Sequence, residues 1–292
     1  MLRIVPSFDL ERVPIIVTEL AFLAKLSAAQ RAHDSIICVG LDPEPARIPS
    51  SYGRGPEAAV RFLRDIIEAT AEYVSAFKPN LAFYERYGEA AMDVLAKTLD
   101  VIPGDVPLIL DGKRGDVPNT SAAYADALFD AFGADAATVA PYVGLDSIAP
   151  FCASGRYALV LARTSNPGAG DFQDLDVGGR PLFERVVEKV AARFSSESCG
   201  FVIGATYPDE TRRLRALAPD RTFLLPGIGA QGGEVESTVR AGLDERGGGV
   251  ILSASRSVLY AEGGGDHARN AAAAARALRD GANAARAAAM AR

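Results

Sequence analysis

An α/β fold, a single-domain (β/α)8 TIM barrel, is what this sequence predicts, and three observations carry the prediction. Eight short β-rich runs alternate with helix-like stretches along the chain. The 292 residues, 49% of them hydrophobic, are ample for one large barrel core or for two ordinary domains. Charged and glycine-rich features gather at the carboxyl ends of the runs, where such barrels keep their working groups.

The runs, in order, are "SIICVGLD" (35–42), "SAFKPNLAFYE" (75–85), "VPLILDGKR" (106–114) and "ATVAPYV" (137–143). "YALVLARTS" (157–165), "GFVIGAT" (200–206), "TFLLPGIG" (222–229) and "GVILSAS" (249–255) complete the eight. Stretches such as "PEAAVRFLRDIIEATAEYV" and "DETRRLRALA" lie between them, with apolar residues at helical spacing. Strict alternation implies parallel pairing through right-handed crossovers. An open doubly wound sheet is the alternative, and no Gly-x-Gly-x-x-Gly follows the first strand to support it. Residues 10–32 read as an extra helix laid under or beside the barrel. The alanine-rich segment of about 266–292 reads as a last barrel helix running into a loose terminus. No linker and no second domain are visible.

Bulk properties exclude some functions. A net charge of −6 and a pI near 5.1 argue against nucleic acid or an anionic membrane as partner. No apolar run approaches the ~20 residues needed to span a bilayer. The N-terminal stretch, broken by charge and proline, does not read as a signal peptide. Cys38, Cys152 and Cys199, odd in number and in apolar surroundings, read as reduced core residues of a cytoplasmic protein. No His, Cys, Asp or Glu spacing suggests a metal, and His33 and His267 read as exposed or capping residues.

At the strand ends stand Asp42, Lys78, and then Asp111 and Lys113 in "LILDGKRGDVPNT". Residues two apart on a strand share a face, so Asp111 and Lys113 are expected to point together into the barrel mouth, within reach of Lys78. A structural ion-pair network at the rim is the bland reading of this array. "PGIGAQGG" after strand 7, with Gly229 and Gln231, and "SASRS" after strand 8, with Ser255 and Arg256, stand where this architecture binds phosphate. Glycine lets backbone N–H groups approach an anion, and an arginine offers a two-pronged donor. "RTSNPGAGDFQDLDVGGRPLFERV" is the longest irregular connection: a flap over a ligand, or an ordinary insertion.

"LDGKRGDVPNT" resembles the Asp-x-Lys-x-x-Asp signature of the orotidine 5′-phosphate decarboxylase family. "FKPNLAFYERYG", "RTSNPGA" and "PGIGAQGG" look like its longer bacterial branch, type 2, and the resemblance runs from about residue 35 to about 260. It implies a dimeric barrel enzyme, without cofactor or metal, that converts orotidine 5′-monophosphate to UMP and CO2. This is the last step of de novo pyrimidine synthesis. By that resemblance Asp111 faces the substrate carboxylate and Lys113 gives its proton to C6. Lys78 orients Asp111, and Asp42 binds ribose hydroxyls. Asp116 and Thr120 reach the partner's site across the dimer. Thr164, Ser165 and Asn166 lie over the base, and Gln231, Gly229, Ser255 and Arg256 hold the phosphate. Arg114, on the other side of the strand, reads as structural. Two alternatives stay open: a magnesium-dependent sugar-phosphate enzyme of the same superfamily, and a silent phosphate-binding barrel. The latter is expected to have lost one of Lys78, Asp111 or Lys113, and all three are present.

Overall fold

The computed structural model describes residues 22–153, 155–228, 232–264 and 266–291. Helix α1 (Phe22–Ala32) precedes β1 (Ile37–Gly40), α2 (Pro56–Thr70), β2 (Ala76–Lys78), α3 (Ala82–Glu85) and α4 (Ala91–Leu99). Then come β3 (Ile109–Arg114), α5 (Pro118–Ala125), β4 (Ala136–Val139), α6 (Leu145–Ile148) and β5 (Ala158–Arg163). The chain continues with α7 (Leu182–Arg193), β6 (Cys199–Ile203), α8 (Pro208–Leu217), β7 (Phe223–Pro226) and α9 (Gly232–Gly242). It ends with β8 (Val250–Ala254), α10 (Arg256–Leu259) and α11 (His267–Met290).

All strand pairs are parallel, in the order β2-β1-β8-β7-β6-β5-β4-β3. The seam between β2 and β3 is closed by single bridges, Phe77 to Leu108 and Asn80 to Asp111. Pro79 and Pro107 lie at this seam, where their carbonyls accept from Asp111 and Phe77. Lacking N–H groups, they cannot extend the ladder. The predicted second strand is therefore too long: it stops at Lys78, and "AFYE" turns into α3. Pro141 likewise lies beyond the end of β4 at Val139.

Alternation along the strands sorts their side chains into two apolar sets, which is why each run reads as continuously apolar. One set packs against the helices and includes Val39, Phe77, Leu110, Val139, Val160, Phe201, Leu225 and Leu252. The other fills the barrel with one residue from each strand: Cys38, Ala76, Ile109, Ala136, Leu159, Val202, Leu224 and Ile251. Burial pushes the Cys38 thiol up to about 12, and all three cysteines are free.

The extra helix lies under the barrel. Phe22 and Leu26 of α1 pack onto the interior layer, and Phe22 meets the ring of Tyr157 at 4.7 Å. Lys25 fastens the plug to Asp135, at 2.7 Å. The part of the expected helix before Phe22 lies outside the described residues. Phe22 is 3% exposed, so Phe22→Ala is expected to cost about 3–5 kcal/mol in chemical denaturation. Turnover at room temperature should not change, because the plug is at the end opposite the mouth. A loss under 1 kcal/mol would remove α1 from the core.

The alanine-rich segment, expected to run into a loose terminus, is helical through Met290 among the described residues. Helix α11 is continuous, N-capped by Asp266, and buries Ala271, Ala275, Ala282 and Ala285. It lies against α2 and α9. Alanine at the contact positions lets these helices approach closely, so the alanine-rich composition has a packing reason as well as a propensity one.

Candidate active site

Two residues further along each strand, the inward-facing layer changes character. In place of the apolar set stand Lys78, Asp111, Thr138, Leu161, Gly204, Pro226 and Ser253, and all seven line the cleft at the carboxyl-end mouth. On β1 the same step gives Gly40, where a Cβ would fall 1.9 Å from Ser255 Oγ, so only glycine admits that side chain. The cleft has two lobes, of about 540 and 460 Å3, which share Lys78, Asp111 and Pro226.

Asp111 is the hub. Lys78 Nζ donates to Oδ2 at 3.0 Å, and Lys113 Nζ and Thr138 Oγ1 donate to Oδ1 at 2.6 and 2.7 Å. Burial alone would raise the Asp111 pKa, but the two ammonium groups and the hydrogen bonds outweigh it and hold the carboxyl well below the usual range. Burial likewise opposes the charge of Lys78, and Asp111 and Asp42 reverse it, holding that ammonium above the ordinary lysine range. Both groups stay ionised at neutral pH. The side chain of Lys78 is 5% exposed and that of Lys113 is 47% exposed. One ammonium is thus fixed in the wall, while the other, also paired to Asp111, stands exposed at the cleft where a ligand can meet it.

Asp111 and Lys113 do meet on one face, but not by regular strand alternation. β3 is bulged: Leu110 pairs with Ala137, yet Arg114 pairs with Val139. Lys113 sits in the bulge with φ of +47°, a left-handed backbone that costs a non-glycine residue about 1 kcal/mol or more. Its N–H is pinned to Thr138 Oγ1 at 3.0 Å. The bulge folds the lysine back over the preceding aspartate. Arg114 points away, to Glu85 and over the ring of Tyr124, as a structural residue.

The larger lobe is lined by Asp42, Arg47, Asn80, Ser255 and Arg256 among others. Ser255 Oγ donates to Asp42 Oδ2 at 2.6 Å, and the Asn80 N–H donates to Oδ1 at 3.1 Å. Among the described residues no carboxylate pairs with Arg256. Arg47 lies over the Tyr260 ring at 4.1 Å, and Tyr260 is itself stacked on Phe62. Gly229 and Gln231, assigned from the sequence to this side, lie outside the described residues. The smaller lobe is lined by Lys113, Thr164, Ser165, Asn166 and Gln173. Gly204 leaves room for this turn, since a Cβ there would lie 2.8 Å from the Ser165 backbone nitrogen.

Asp116 and Thr120 line neither lobe of their own chain. Asp116 Oδ1 accepts from the Val117 N–H, and Thr120 is half-buried on α5. Asn80, Thr138, Arg47 and Gln173 were missed by sequence reading. Thr138 had a signal, being the polar residue in the inward register of "AATV". Gln173 had none, because it reaches the site only through the fold of its loop. Among the described residues, no group of three or more His, Cys, Asp and Glu is arranged to hold a metal. None of their helices is long and apolar enough to cross a membrane.

Ammonium, carboxylate and ammonium in a half-desolvated mouth, beside a lobe with two arginines, suit acid–base chemistry on an anionic ligand. Fold and site together define a barrel enzyme of that class. Residues 35–273 match the model of the orotidine 5′-phosphate decarboxylase / HUMPS family, to which this chain belongs. An orotidine 5′-phosphate decarboxylase of Azoarcus sp. (strain BH72) is 46% identical over 266 residues, 90% of this chain and 98% of that protein. One from Thermomicrobium roseum is 47% identical over 265 residues, 89% and 94% of the two chains. The solved structure of Leishmania donovani OMP decarboxylase superposes with a TM-score of 0.81 at 36% identity, covering 91% of this chain and 99% of that one.

Proposed function

We propose that this protein decarboxylates orotidine 5′-monophosphate to UMP and CO2, the last step of de novo UMP synthesis. The observation that carries this reading is the Asp111 carboxylate held between a buried and an exposed ammonium at the meeting of the two lobes. The pyrimidine occupies the smaller lobe and the phosphate the larger, near Arg256 and Arg47. Gly229 and Gln231 complete the phosphate loop in this reading. Asp42, fixed by Ser255 and Asn80, takes the ribose hydroxyls.

Chemistry then follows from charge. The substrate carboxylate is set against Asp111. Two carboxylates about 4 Å apart at an effective dielectric near 20 repel by roughly 4 kcal/mol. Relief of that repulsion as CO2 departs is worth about three decades in rate. The C6–CO2 bond breaks, its electron pair stays on C6, and Lys113 stabilises that charge and then gives C6 its proton. Lys78 holds Asp111 ionised and aimed. Phosphate binding in the far lobe supplies the energy that keeps the carboxylates together.

The test is the loss of orotate-ring ultraviolet absorbance on adding orotidine 5′-monophosphate with excess chelator present. Rapid loss supports the reading; no loss would end it and return attention to magnesium-dependent sugar-phosphate chemistry.

The working form in this proposal is a cytoplasmic homodimer in which Asp116 and Thr120 complete the partner's site. Val117, Tyr142 and Val143, in the connections that follow β3 and β4, are exposed apolar residues, at 52, 87 and 50%. Mixing inactive Lys113→Ala and Asp116→Ala subunits is then expected to restore roughly a quarter of wild-type activity, because each mixed dimer has one intact site. No restoration after subunit exchange would place Asp116 in its own chain's chemistry.

A further inference from the structure

The loop after β5 contains a relay of hydrogen bonds whose polarity is fixed from one end. The backbone N–H of Thr164 can only donate, and it donates to Gln173 Oε1 at 2.8 Å. Arg163, also donor-only, approaches the same oxygen at 3.4 Å. The Gln173 amide is therefore set with its NH2 towards Thr164 Oγ1, at 2.8 Å. That hydroxyl, already accepting, has two oxygens in reach, Asn166 Oδ1 at 2.6 Å and Gln173 Oε1 at 3.2 Å, and gives its one proton to the nearer, Asn166 Oδ1. Asn166 in turn has its oxygen occupied, and its Nδ2 donates to no described residue. Asn166 lines the smaller lobe with Lys113 and Ser165.

We infer that Gln173 is a positioning residue that fixes the polarity of base recognition. Through Thr164 it makes Asn166 present a donor NH2 to the ligand, so the site selects a pyrimidine with a carbonyl acceptor where a cytosine carries an amino donor. This inference rests on the proposal that the smaller lobe holds the base. The relay is anchored by more than one contact: Arg163 also donates to the Thr164 carbonyl at 2.9 Å and pairs with Asp174 at 3.1 Å. The Phe183 N–H donates to the Gln173 carbonyl at 3.0 Å, so the clasp is held from outside the loop as well.

Gln173→Glu keeps the size of the side chain and its bond from the Thr164 N–H but removes its donor. The Thr164 hydroxyl then donates to the carboxylate, and Asn166 must turn its NH2 towards Thr164 and its oxygen to the ligand. Thr164→Val cuts the relay without adding charge. The experiment measures dissociation constants of UMP, CMP and ribose 5-phosphate for the wild-type protein and both variants. The expected result is a wild-type preference for UMP over CMP that falls about tenfold or more in each variant, with ribose 5-phosphate binding unchanged. An unchanged UMP-to-CMP ratio overturns the relay. Equal loss for all three ligands also overturns it, because the residue then only holds the loop together. Wild-type binding of UMP no tighter than ribose 5-phosphate would instead remove the base from this lobe, and the parent reading with it.

Discussion

Lys113→Ala is expected to lower kcat by on the order of 10^4-fold or more, since it removes the proton donor and the charge opposite the developing carbanion together. Folding stability should hardly change. Lys113 is about half exposed, and a screened pair of that kind is worth at most about 1 kcal/mol. The left-handed backbone at this position is kept, since alanine tolerates it no better than lysine. The rate is read from orotate absorbance and the stability from a thermal melt. A variant within tenfold of wild type would move the proton donor elsewhere, with the reaction itself intact.

Asp111→Asn is expected to fail in both respects. The shape of the side chain is kept, but Lys78 is left buried without the charge that pairs with it. Removing one partner of a buried pair costs about 3–5 kcal/mol. Loss of the repelling carboxylate lowers turnover by about three decades besides. The stability difference has a definite pH dependence. The folded-state pKa of Asp111 is depressed, so its contribution is fully present above the unfolded value of about 3.9 and is lost as pH falls through the lower folded value. The folded-state pKa of Lys78 is raised, so its contribution is present below about 10.4 and is lost as pH rises through the higher folded value. Urea unfolding should therefore show a wild-type plateau between about pH 4 and 10. Below pH 4 the gap between wild type and Asp111→Asn should narrow. A gap that widens on acidification would contradict the charge assignment.

Barrel and charged core were both legible in the sequence because both depend on short-range order. Eight apolar runs with helical stretches between them leave few ways to bury two faces of every strand. Lys78 and Asp111 follow from strand register alone, each two residues beyond an interior apolar position. The rest depended on departures from register. The meeting of Lys113 with Asp111 comes from a bulge, which strand periodicity does not contain, although the sequence spacing suggested the same neighbours. β2 was overextended because proline ends its ladder while the apolar pattern continues into α3. Gln173 acts on Thr164 by a loop that returns on itself, and nothing in the spacing of those residues announces the return. The alanine-rich end hid its packing role because small side chains give a weak apolar signal.

The way the two ends of the chain meet also sets an order of events in synthesis. β1 pairs with β2 on one edge and with β8 on the other, and Asn283 of α11 donates to the Asp34 carbonyl at 2.6 Å, 249 residues away in sequence. A growing chain can lay β1 to β7 side by side, yet the first strand keeps an open edge until β8 leaves the ribosome. Contacts of such sequence separation slow folding and prolong the life of partly folded forms. Closure of the ring therefore waits for β8, and until then the unpaired edge of the first strand is where a stalled chain is most exposed to association with others.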